Sequence, residues 1–325
     1  MKGKIKYILF FIILTIMLHA AYANNDTVNI TMYVNTPPNV TFVELDDYAP
    51  SIPADQIDLV AAANKTVYCI LNITDPDGYE DINQSTMNVS IYLLSRGYNA
   101  TENPKFQNNL LWSNTINSHA CLNTSLGGSN NNSDGWRDYN CSIQMPYYSE
   151  NGTWVCVAKI SDTFRLKGEK NDTCDVNQLI ALNISVDKID FGALALGGNT
   201  TASNYNTSIE NIGNVPLSVD ITSAWNNSQP TNDTYGMKCT QGYINETDIK
   251  FDDEDQTFHS EIGDLAYWTP LAPGFTSASD MSLVEATSST KVYYDIFWGI
   301  HLSASQPLNP KGYCKGWLFF DAVIG

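Results

Sequence analysis

The chain has 325 residues, enough for about two domains of ordinary size, and carries 17 Lys+Arg against 35 Asp+Glu, a formal net charge of −18. A chain this acidic lacks the cations that neutralise phosphate, which argues against nucleic acid or anionic lipid as a partner. Apolar residues make up 43% and aromatics 11%, which excludes a disordered composition.

Residues 1-23 read as a secretory signal. Lys2, Lys4 and Lys6 form the positive region, residues 7-18 (YILFFIILTIML) the apolar stretch, and Ala21-Tyr22-Ala23 the cleavage site, which puts the mature N-terminus at Asn24. Twelve apolar residues are short for a membrane span, which needs about 20. An uncleaved anchor or a prepilin-type cut after Gly3 are the alternatives. After cleavage no transmembrane anchor is expected. The mature chain then holds 14 basic and 35 acidic residues, a balance of −21.

Residues 24-38 hold an N-terminal strand and a spacer. Over 27-34 (TVNITMYV) apolar and polar residues alternate, with Val28, Ile30, Met32 and Val34 on one face. Pro37-Pro38 stiffens the chain behind them. Such a segment can cap its own domain or add a strand to a neighbour's sheet edge.

Residues 39-178 read as one strand-rich domain. In 64-74, Val67, Cys69, Leu71 and Ile73 share a face; in 151-162, Trp154, Cys156, Ala158 and Ile160 do. Both cysteines are in phase with the apolar side, so a Cys69–Cys156 bridge between two packed sheets is expected. Between these strands lies an acidic loop, with Asp75, Asp77, Glu80 and Asp81 in seven residues and Gly78 to turn the chain. Hard oxygen ligands at this density suit Ca²⁺, although the spacing is not that of an EF-hand; a solvated turn is the competing reading. Cys121 and Cys141 flank a Gly/Asn/Ser-rich loop and are paired as its tie. The polar segment 171-178 (NDTCDVNQ) reads as the joint to the next domain.

Residues 179-325 form a second strand-rich domain. Asn211, Gly213 and Asn214 mark a reversal and are expected to tolerate positive φ. Cys239 and Cys314 are its two cysteines and are paired. Cys174 is then the odd cysteine, either a thiol or half of an intermolecular bridge. Spacing alone does not fix this connectivity. A second acidic run, 252-255, is contiguous, so its side chains diverge in a strand.

Of 34 Asn, 19 begin an N-x-[ST] sequon, against about 5 or 6 expected by chance. Asn29, Asn72, Asn88, Asn151, Asn206 and Asn245 are among the candidate glycosylation sites. The sequons stop at Asn245, and the last 80 residues contain none. A glycan cannot sit in a packed contact. The C-terminal segment therefore either faces another protein or holds buried core strands.

The strings ITDPDGYEDI (73-82) and GTWVC (152-156) resemble immunoglobulin-like domains of archaeal cell-surface proteins. IDFGALALGG (189-198), SIENIGNVPLSVDI (208-221), IFWGIHLSASQP (296-307) and GYCKGWLFFDAVI (312-324) resemble a second β-sandwich module of archaeal exported proteins. The resemblance implies a structural surface protein and brings no catalytic residues. The usual aromatic two residues before the second cysteine is Trp154 here, in place of a Tyr.

No HExxH, GxSxG, CxxC or phosphate-cradling glycine loop is present. The expected fold is all-β, two tandem β-sandwich domains, the first immunoglobulin-like. The expected role is non-enzymatic. It is a secreted, extracellular surface glycoprotein in a cell envelope, an S-layer-like coat or a filament, which self-associates or binds other envelope proteins. An adhesin or ligand-binding module using the loop at 122-140 is the alternative.

Overall fold

The computed structural model describes residues 31–47, 56–98, 109–113, 122–123, 136–186, 188–200, 205–227, 234–252, 268–304 and 309–325. The chain divides into two units, Met1–Asn35 and Thr36–Gly325. Of the first, residues 31–35 are described, and they form no strand. The strand expected over 27–34 is therefore not formed in its described half; residues 27–30 and Asn29 lie outside the described residues. Alternation alone cannot hold a strand, because its backbone groups need a paired neighbour.

The second unit is built of strands. Its first half contains β1 (Asn39–Asp46), β2 (Gln56–Ile57), β3 (Asn64–Thr74), β4 (Ile82–Leu93), β5 (Asn109–Ser113), β6 (Leu122–Asn123), β7 (Trp136–Pro146), β8 (Gly152–Asp162) and β9 (Lys167–Val176). One sheet has the order β1-β3-β7-β6, the facing one β2-β9-β8-β4-β5. The second half contains β10 (Leu182–Ile184), β11 (Asn206–Asn211), β12 (Leu217–Ala224), β13 (Tyr235–Gln241), β14 (Tyr243–Asn245), β15 (Ile249–Asp252), β16 (Thr269–Pro270), β17 (Thr276–Leu283), β18 (Tyr293–Ile300) and β19 (Lys311–Ile324). Their sheets run β10-β11-β18-β15-β16 and β14-β13-β19-β12-β17. Each pair of sheets encloses its own apolar core. The architecture is all-β and multi-sheet.

The two-residue alternation explains the first core. Val67, Cys69, Leu71 and Ile73 of β3, and Trp154, Cys156, Ala158 and Ile160 of β8, are all buried. Each fully buried Val, Leu or Ile contributes about 1.5–3 kcal/mol. Cys69 and Cys156 are bridged across the two sheets. Cys141 is also disulfide-bonded; Cys121, its expected partner, lies outside the described residues. The second core gathers around Trp298, whose indole N–H donates to Thr207 Oγ1 (2.9 Å) and whose ring meets Phe251 and Phe320. Cys239 and Cys314 are bridged between directly opposed positions of β13 and β19.

Two local expectations are corrected. The polar segment 171–178 is mostly strand: β9 pairs with β8 over ten positions and turns its polar residues outward. The link is 177–181. Asn211, Gly213 and Asn214 do not adopt positive φ. Gly213 is needed for close approach, since a Cβ there would lie 2.0 Å from the Leu179 carbonyl oxygen. Asn214 ties the link down: its Oδ1 accepts from Leu179 N (2.7 Å), and its Nδ2 donates to the carbonyls of Ser149 (2.9 Å) and Asn177 (3.1 Å). Asp252 of the second acidic run is buried in β15; residues 253–255 lie outside the described residues.

Cys174 is a buried thiol on β9. Burial, aided by the carboxylates of Asp46, Asp172, Asp175 and Asp47, pushes its pKa up to about 12. Thiol–disulfide exchange needs an accessible thiolate, and this side chain is buried.

Candidate metal centre

The acidic loop lies between the end of β3 and the start of β4. Turn bonds shape it: Gly78 N donates to Asp75 O and Asp81 N to Gly78 O, each at 3.1 Å. A single 3₁₀ turn, Tyr79–Asp81, follows. Asp75 thus leaves one sheet and Asp81 enters the other. Ile82, next to Asp81, pairs with Asp162 at the end of β8. Carboxylate oxygens of Asp75, Asp81 and Asp162 all come within 4.8 Å of one another.

The sequence reading is half corrected here. Asp75 and Asp81 are brought together, but Asp77 and Glu80 are not part of the group. Asp77 faces the incoming chain, its Oδ2 accepting from Thr36 N at 2.6 Å, while its own N–H donates to Asp75 Oδ1 at 2.9 Å. The third carboxylate, Asp162, is 81 residues beyond Asp81 in sequence, with Ser161 and Thr163 as neighbours, so no local acidity marks it. The one available signal is an Asp closing an alternating strand before a turn.

The site is largely buried and negative. Asp75 is 3% and Asp162 0% exposed. Oδ2 of Asp75 and Oδ2 of Asp81 are buried without a hydrogen-bond partner. Burial pushes the Asp75 carboxyl above the usual range, the Asp77 N–H opposes, and every charged group acting on it (Asp81, Asp77 and Asp162) is another carboxylate. The other oxygens are spent on structure. Asp162 Oδ1 accepts from Leu166 N (2.8 Å), closing the β8–β9 turn. The Thr163 hydroxyl donates to Asp81 Oδ1, and Thr163 N to Asp81 O (2.8 Å). Buried carboxylates without partners cost several kcal/mol or take up a proton or a cation.

The incoming chain meets the same end of the sandwich. An added Cβ on Gly168, early in β9, would lie 2.2 Å from Pro38 O. Residues 36–38, the acidic loop and the β8–β9 turn therefore converge.

Among the candidate glycosylation sites, Asn151 is exposed; Asn72, Asn88, Asn206 and Asn245 are half-buried. Asn72 Nδ2 donates to Asp138 Oδ1 at 2.8 Å, so the atom that would carry a sugar is already engaged. Among the described residues no helix is long and apolar enough to cross a membrane.

No protein-family model matches the chain, and no curated protein matches it. Among solved structures, it is similar to dimeric latent PorU from Porphyromonas gingivalis, at 11% identity over 89% of this chain and 20% of that one, with a TM-score of 0.26. It is similar to a chain of the chaperone–tip adhesin complex of CFA/I fimbriae biogenesis, at 9% identity over 91% and 87%, TM-score 0.29. It is also similar to the C-terminal domain of the AgI/II polypeptide BspA of Streptococcus agalactiae, at 12% identity over 89% and 97%, TM-score 0.23. The chain spans a fifth of PorU. At such scores the likeness carries no argument, and the all-β assignment rests on the strand pairing itself.

Proposed function

We propose that this chain is an exported, non-enzymatic surface glycoprotein, a structural subunit of a cell envelope such as an S-layer-like coat or an extracellular filament. The leader-like N-terminus, the sequon excess and the bridged cysteines support export, since disulfides persist in oxidising compartments. The archaeal and immunoglobulin-like assignments belong to this reading and rest on the sequence resemblance.

One observation carries the structural role. The last 80 residues hold no sequon, and β19 within them turns Tyr313 (74% exposed), Trp317 (38%) and Val323 (39%) to the same side. Lys315 and Asp321 lie between them on that side, and a mixed aromatic and polar face kept free of glycans suits a protein contact. Donation of residues 27-34 to a neighbour's sheet edge is a second route to assembly.

Electron microscopy of envelope material, with intact mass before and after glycosidase, tests the reading. Ordered sheets or filaments containing a glycosylated chain are expected. A cytosolic, unmodified chain overturns it, and dispersed monomers with affinity for a ligand favour the adhesin alternative.

A further inference from the structure

We propose that Asp75, Asp81 and Asp162 bind one Ca²⁺ that clamps the two sheets of the first sandwich together at the end where the chain enters it. The argument starts from the two orphaned oxygens. Asp75 is almost wholly buried, and its Oδ2, like Asp81 Oδ2, has no hydrogen-bond partner. Three converging carboxylates repel one another, and no basic group is among those acting on Asp75. The fold holds this repulsion in place with bonds to other atoms: Leu166 N on Asp162, Thr163 on Asp81 and Asp77 N on Asp75. What those bonds leave is two orphaned oxygens, Asp75 Oδ2 and Asp81 Oδ2, in a group of three carboxylates whose oxygens come within 4.8 Å of one another.

The ion's identity follows from the ligands. The group contains oxygen donors only, with neither His nor Cys. Oxygens up to 4.8 Å apart suit an ion whose bonds are about 2.3–2.6 Å, as in Ca²⁺ sites; Mg²⁺, at about 2.0–2.1 Å, needs a tighter set. Three carboxylates with water completing the shell predict a dissociation constant of about 10⁻⁴–10⁻³ M, the range of extracellular modules.

The consequence is mechanical as well as local. Asp75 directly follows β3 of the β1-β3-β7-β6 sheet, while Asp162 ends β8 and Asp81 directly precedes β4, neighbouring strands of the other. One ion joins the sheets opposite in kind to the Cys69–Cys156 bridge, by charge instead of a covalent bond. Through Asp77, whose N–H holds Asp75 and whose carboxylate holds Thr36 N, the ion also fixes the incoming backbone.

The test uses the full secreted chain, stripped with chelator, in about 0.15 M NaCl to screen diffuse binding to its acidic surface. Equilibrium dialysis with radioactive Ca²⁺ is expected to give one ion per chain. The melting temperature is expected to rise on adding Ca²⁺ and not on adding NaCl of equal ionic strength. Asp162→Asn keeps an oxygen for Leu166 N and is expected to weaken binding at least tenfold, whereas Asp77→Asn changes it less than threefold. Asp81→Asn gives the same reading as Asp162→Asn should that variant fail to fold. Exchange of the Thr36 amide is expected to slow with Ca²⁺. Absence of one-to-one binding, wild-type affinity in Asp162→Asn and Asp81→Asn, or an equal loss in Asp77→Asn overturns the proposal.

Discussion

The two sandwiches each carry a long-range disulfide, and the two bridges differ in where they sit. Cys69–Cys156 and Cys239–Cys314 close sequence separations of 87 and 75 residues. In the chain-entropy view each contributes about 4–5 kcal/mol, with almost no difference between them. Their surroundings do differ. Cys69 and Cys156 are both 0% exposed and span the sheets through the core. Cys239 and Cys314 face each other on adjacent strands of one sheet, with Cys314 half-buried. There the sheets are joined by packing around Trp298 instead. The pair separates two effects of a cross-link: restricting the unfolded chain and filling the folded one.

Removing each bridge measures this directly. Cys69→Ala with Cys156→Ala is expected to lose about 5 kcal/mol or more by urea unfolding, because a core void adds to the lost constraint. Cys239→Ala with Cys314→Ala should lose about 1–2 kcal/mol less. Equal losses would break the comparison.

The comparison sharpens if the sandwiches melt separately. Asn214→Ala removes three hydrogen bonds at the link, from a residue 4% exposed. A loss of about 2–3 kcal/mol is expected, with the calorimetric transition splitting into two.

A smaller effect belongs to the second sandwich alone. Glu246 is 0% exposed; its Oε1 accepts from Thr222 Oγ1 (2.7 Å) and Ser223 N (2.8 Å), while Oε2 is buried without a partner. Burial pushes its pKa above the ordinary 4.5, with those two bonds opposing. The folded state therefore holds the proton more tightly than the unfolded chain. That contribution is full below pH 4.5 and is lost as pH rises through the raised value. Glu246→Gln, neutral throughout, should stabilise by about 1 kcal/mol at pH 7, and the gain should vanish near pH 4. A gain independent of pH would remove burial of charge as the cause.

The smallest readout concerns the first sandwich and involves no change of sequence. With its pKa near 12 and its side chain buried, Cys174 should react with iodoacetamide at pH 8 at least about a hundredfold slower in the native protein than in denaturant. Rapid native labelling would place that strand nearer the surface.

Much of the first core was legible because β3 and β8 each turn four consecutive alternate residues inward, and sulfur followed the same phase. The second bridge was legible only as a remaining pair. The metal centre was legible in part: local acidity marked Asp75 and Asp81, but Asp162 arrives through the pairing of β8 with β4, a long-range contact that sequence neighbours do not record. Asp77 was misread because a carboxylate in a turn can serve a backbone N–H as well as a cation. The segment 171–178 was read as a joint because the outward residues of β9 are polar, and an exposed sheet face has the composition of a loop.

Pro38 resting against Gly168 has a consequence for force. The chain meets the first sandwich beside the start of β9 and leaves it past Val176, the end of the same strand. Gly168 and Val176 are about 26 Å apart along the strand axis. Tension transmitted from one to the other runs parallel to the strands, so it loads many ladder bonds in shear at once instead of peeling them one by one.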